Sequence, residues 1–75
     1  PSEHAQAREA AVRVARAVGR LIDADREVLL MRHAENRPYD EIACLLDIEP
    51  AAARKRYGRA LIRLEQALRE EGLLE

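Results

Sequence analysis

Apolar residues recur along this chain at three- and four-residue spacing, the period of one face of a helix. From Ser2 to about Val18 they are Ala7, Ala11, Val14 and Val18, with Leu21 beyond, while Arg8, Arg13, Arg16 and Arg20 fall on other faces. Ser2 is placed to cap this first helix, and Gly19 weakens its end. A second helix is predicted from Asp23, a cap candidate, with Asp25 and Glu27 in the first turn and the dense band Val28-Leu29-Leu30-Met31 behind them. Asn36-Arg37-Pro38 ends it, because a residue before proline avoids the helical region. A short third helix runs from Pro38 or Tyr39 to Leu46, burying Ile42, Ala43, Leu45 and Leu46. Asp47-Ile48-Glu49 forms a tight connection. Pro50, suited to a first helical position, opens a fourth helix that runs to about Glu71, with Gly72 as its stop.

Composition narrows the class. Among 75 residues there are 14 Ala, 10 Leu, 4 Ile and 4 Val, two Tyr, and no Phe, Trp or Thr. A pleated sheet needs β-branched and aromatic side chains to pack its face, so an all-β fold is excluded. The expectation is an all-α, four-helix domain over residues 1–75, ending in a helix-turn-helix with a long C-terminal recognition helix. Its core must be thin, because small domains bury a modest share of their surface. No apolar run reaches the ~20 residues of a membrane span, and one cysteine makes no internal disulfide, so the expected setting is the cytoplasm, with no membrane partner. The chain opens on Pro1 rather than Met, as expected for a domain cut from a longer protein.

The formal net charge of −1 hides an asymmetry. Residues 1–50 carry seven bases and ten acids, whereas residues 51–63 carry five bases and no acid. On a helical wheel, Ala53, Tyr57, Ala60, Leu61, Leu64 and Leu68 cluster within roughly 80° as the buried stripe. The opposite side gathers Ala51, Ala52, Lys55, Arg59 and Ile62, with Gly58 nearby and Arg54 and Arg56 flanking. Small residues let a helix approach a duplex closely, and long cations reach phosphates or guanine edges. A short helix, a tight turn and a longer basic helix make a helix-turn-helix, whose second helix enters the major groove.

The residues Asp25-Arg26-Glu27-Val28-Leu29-Leu30-Met31-Arg32-His33, then Pro38 to Ile48, then Glu49-Pro50 and Arg54 to Ala60 carry a resemblance. In that order, over roughly residues 21–68, the chain resembles region 4 of bacterial RNA polymerase sigma factors, most closely the extracytoplasmic-function group. The resemblance implies a domain that places its last helix in the major groove of the promoter −35 element. It implies a second face for the β flap of the RNA polymerase core, and an anti-sigma factor that covers one or both surfaces. Carried over by position, Arg54, Lys55, Gly58 and Arg59 match the base-reading stretch, and Arg56, Arg63 and Arg37 match phosphate contacts. Ala51 and Ala52 lie at the same interface. The chain departs from the family in four places. Asp47 stands where glycine is usual, and Asp is among the side chains that best tolerate positive φ. Glu49 replaces a Ser or Thr cap, a change worth ~0.5–2 kcal/mol locally. Ala51-Ala52-Ala53 replaces Gly-Thr-Val, and Tyr57 replaces an aliphatic residue and refills the space that Ala53 leaves. These differences bear on which −35 sequence is preferred.

Two other readings stand beside this one. A dimeric helix-turn-helix transcriptional regulator would need a self-complementary apolar surface. A protein-interaction module that does not bind DNA would suit the acidic pI of about 6.2. An enzyme is not expected, since no nucleophile–base constellation or phosphate loop is present. No cofactor or metal is expected either: His4 and His33 lack partners at ligand spacing. Cys44 reads as a small packed residue of the third helix, and Asp40 and Glu41 as surface acids favoured by the helix dipole. The Leu29/Leu30 band reads as core, part of which a domain this small leaves open to a partner helix.

Overall fold

The computed structural model describes residues 2–74. Pro1 and Glu75, the two ends of the expected domain, lie outside the described residues. Four helices follow in order: α1 (Ser2–Gly19), α2 (Asp23–Leu29), α3 (Tyr39–Leu46) and α4 (Pro50–Glu70). Between α2 and α3, Leu30–Ala34 continues the helix as a wider π turn, with Glu35 N–H bonded to the Leu30 carbonyl, five residues back, at 3.1 Å. The segment closes when the Arg37 N–H reaches the Met31 carbonyl at 2.9 Å around Asn36, whose φ is +53°.

Two helix ends share one device. Asp47 takes φ +56°, and the Asp47 and Ile48 N–H groups bond the Cys44 and Ala43 carbonyls at 3.3 and 2.9 Å. At the end of α4, Gly72 takes φ +80°, and Gly72 and Leu73 bond Arg69 and Leu68 in the same way, both at 2.9 Å. Each pair satisfies two carbonyls that a helix end leaves open. The starts are plainer. Pro38 and Glu49 sit in extended backbone at the caps of α3 and α4 with no side-chain bond to the helix. Ile22, not Asp23, occupies the cap of α2. Asp23 is the first helical residue, paired with Arg26.

The core is small and rich in alanine. Val28 and Ile42 are its largest fully buried side chains, each worth ~1.5–3 kcal/mol of burial. Around them lie Leu21, Leu29, Ala43, Ala53 and Ala60, with Tyr57, Leu61 and Leu64 packed at the margin. The alanines of α4 let its backbone approach α2 and α3 closely. That contact fixes how the outer side of α4 is presented.

Three expected burials differ. The apolar residues of α1 do not form a continuous buried face: Ala17 and Leu21 are buried, Val18 is half-buried, but Val14 is 43% exposed and residues 2–9 are all exposed. The first turns of α1 extend beyond the packed part of a body 47 Å long and about 21 by 18 Å across. In α3, Leu45 is 54% exposed, because Tyr39, Ile42, Ala43 and Leu46 define the inward face and Leu45 points roughly 110° away from it. Cys44 is exposed for the same reason.

Candidate nucleic-acid interface

Helix α4 owes its orientation to its inner stripe. Ala53, Ala60 and Ala67 are buried, and Tyr57, Leu61, Leu64 and Leu68 are half-buried. The opposite side is therefore forced outward. There Ala51, Ala52, Lys55, Arg59 and Ile62 are exposed, Arg54 is exposed on one flank, and Arg56 and Gly58 are half-buried. A Cβ added at Gly58 would meet nothing within 4 Å, so the glycine leaves an open notch in this side. Arg56, Arg59, Lys55 and Ala52 also line a shallow depression of about 380 Å³ shared with Ile22 and Ala24 of the facing element.

Arg54, Lys55, Arg56 and Arg59 have no carboxylate partner among the described residues. Most other cations do. Arg63 is one of them: its Nη1 donates to both carboxylate oxygens of Asp25, at 2.9 and 3.0 Å. Asp25 is only 2% exposed, so this pair ties α2 to α4 from the inside. Arg37 donates to Glu35 and to Glu41. Those hydrogen bonds, first to Glu35 and then to Glu41, hold its guanidinium above the ordinary arginine range. The sequence reading gave Arg37 and Arg63 to phosphates; here acids engage both, and they brace the elements around α4. Asp25 itself was missed as more than a first-turn acid. The signal for it was faint, one acid on the face that also carries Val28 and Leu29.

Aromatic side chains connect α3 to the head of α4. The Arg54 guanidinium carbon lies 5.0 Å from the centre of the Tyr39 ring, and that of Arg32 lies 4.9 Å from it. Tyr39 meets Tyr57 edge-on at 6.0 Å, and Tyr57 Oη shares a 2.7 Å hydrogen bond with His33 Nε2. Away from the cationic side, Val18, Leu29, Leu30, Ala34 and Leu64 line an apolar groove of about 760 Å³ rimmed by Asp23, Arg26, Glu27 and His33. Leu30, 54% exposed, is its most open wall. Among the described residues, no group of three or more His, Cys, Asp or Glu side chains gathers as a metal ion requires. No helix is long and apolar enough to cross a membrane.

A short helix capped by a left-handed residue, followed by a long helix whose free cations all face out, defines a helix-turn-helix domain of the DNA-binding class. Residues 11–64, from the middle of α1 to the inner stripe of α4, match the family Sigma-70, region 4. The chain belongs to that family. The extracytoplasmic-function type is consistent with it. In sigma factors generally this region binds promoter −35 DNA, and the family is regulatory rather than catalytic. No curated protein and no solved structure matches the chain.

Proposed function

We propose that this domain recognises a promoter −35 element in the cytoplasm, as the C-terminal part of a longer sigma factor, with the outer side of α4 in the major groove. The observation that carries this reading is the set of four cations without acid partners at the head of α4. A cation already neutralised by a carboxylate gains little from a phosphate; a free one releases counterions when it binds. Lys55 and Arg59 read base edges, with Arg54 beside them, and Arg56 takes a phosphate. Ala51, Ala52 and Gly58 let the helix approach the duplex. Arg37 and Arg63 act through their acid partners, holding the turn before α3 and the seat of α4.

The apolar groove at Leu29, Leu30 and Leu64 takes a helix of the polymerase core, the β flap, and an anti-sigma factor competes for one or both surfaces. The exposure of Leu30 supports this second contact: a half-open leucine beside Val18 and Leu64 offers the apolar wall that an amphipathic helix needs. Isolated DNA binding is then weak, and tethering to polymerase raises the effective concentration.

Fluorescence anisotropy tests the DNA contact, using a duplex enriched from a randomised pool and a scrambled duplex of equal composition. Lys55→Ala and Arg59→Ala should each lose ~1–3 kcal/mol of discrimination. Affinity should fall with salt at a log–log slope near −0.9 per neutralised phosphate. Unchanged binding in both variants overturns the groove assignment.

A further inference from the structure

Arg54 is the one free cation of the α4 head that rests on an aromatic ring. We propose that Tyr39 is a positioning residue for DNA recognition: its ring holds the Arg54 guanidinium in the plane from which it reads a guanine. The proposal rests on the DNA reading above and adds to it a determinant outside the recognition helix.

The ring is braced on several sides. Arg32 lies 4.9 Å from its centre, and Arg32 is itself fixed by donating from Nη1 to the Arg37 carbonyl at 3.0 Å. Tyr57 meets the ring at 65° from the α4 side, and the Tyr57 hydroxyl is held by His33. Tyr39 therefore cannot swing away without disturbing α4 or the π turn. Arg54, in contrast, is exposed and has no carboxylate to fix it. A free arginine explores many rotamers, and ordering it on binding costs conformational entropy. Stacking on a fixed ring removes most of those rotamers before DNA arrives.

Geometry decides what stacking leaves available. A guanidinium stacks through its flat face, while its five N–H donors point outward in its plane. The ring thus occupies the part of Arg54 that makes no hydrogen bonds and leaves the two-pronged edge for O6 and N7 of a guanine. A lysine at this position has no flat face and no fork, so the ring would give it no such edge. The consequence is selectivity rather than bulk affinity. Losing the ring lets Arg54 still reach a phosphate but no longer fixes it on one base.

The test combines a ring-current measurement with a mutant cycle. In the free domain, the Arg54 side-chain protons should shift upfield in NMR spectra, keep that shift in Tyr39→Phe and lose it in Tyr39→Leu. Against the enriched duplex, Tyr39→Leu should weaken binding by about 2–5-fold, the range of a cation–π contact at an exposed site. The scrambled duplex should bind as before, which also shows that the variant is folded. In the Arg54→Ala background, Tyr39→Leu should have no further effect, and Tyr39→Phe should restore selectivity in the wild-type background. Absence of the upfield shift, or an equal loss from Tyr39→Leu with and without Arg54, overturns the proposal while the DNA reading stands. A domain with the shift but with no preference for any duplex overturns the DNA reading, and the recognition role of Tyr39 with it.

Discussion

Replacing Gly58 with alanine separates folding from DNA binding, because the two should respond in opposite directions. Gly58 lies in the interior of α4, where glycine costs a helix about 0.8–1 kcal/mol relative to alanine. A new Cβ there meets no atom within 4 Å, so no clash offsets the gain. Gly58→Ala should therefore stabilise the free domain by nearly the full amount, raising the thermal midpoint by about 4–8 °C in a chain of this size. Against DNA, the same methyl fills the notch between Arg54, Lys55 and Arg59. If bases pack there, the crowding resembles adding a methyl to a filled interior, ~1–2 kcal/mol, or about 5–30-fold in Kd. Circular dichroism melts give the first number and anisotropy titrations the second. A variant that is more stable and binds DNA as tightly as the parent would refute the placement of this side of α4 in the groove. A variant that is less stable would refute the helical account of Gly58.

The buried pair Asp25–Arg63 should be asymmetric: Arg63→Met strands a carboxylate only 2% exposed and should cost about 2–3 kcal/mol, below the fully buried range because Arg63 is half in water. Asp25→Asn should cost less, and the double variant should recover part of the loss in urea titrations; strict additivity would show that the two do not interact. At the turn between α3 and α4, Asp47→Gly relieves a left-handed aspartate and should gain about 0.5–1 kcal/mol, and Glu49→Ser supplies the missing cap for about 1 kcal/mol, both read from thermal midpoints. Cys44 should react with an aromatic disulfide reagent at the rate of a free thiol without prior unfolding, and Cys44→Ser should change stability by less than about 0.5 kcal/mol.

Much of the architecture was legible from punctuation. Pro38, Asp47, Pro50 and Gly72 mark the ends of α3 and α4, since a proline or a left-handed residue constrains the backbone whatever packs around it. The two sides of α4 were legible because an inner stripe of Ala, Tyr and Leu leaves its cations only one direction. Burial in shorter or unpaired elements was not. Spacing puts Val14 and Leu45 near the apolar side of their helices, but only neighbouring helices decide whether that side is covered, and α1 outruns its neighbours. The π turn was invisible because Leu30 to Ala34 carries no residue that disfavours α geometry. Asp25 and Tyr39 gain their roles from Arg63 and Arg54, partners 38 and 15 positions away, which periodicity within one helix cannot reveal.

The π turn at Leu30–Ala34 sets an angle. A wide turn holds one residue more than an α turn, so a chain shortened by one position there would wind the helix-turn-helix about 100° around the axis of α2. His33 would then lose Tyr57, and Leu30 would leave the groove it shares with Leu64. That surplus residue works as a fixed gear tooth between the apolar side of the molecule and its cationic side. Insertions and deletions of one residue in this stretch should uncouple the two surfaces even where each surface stays intact.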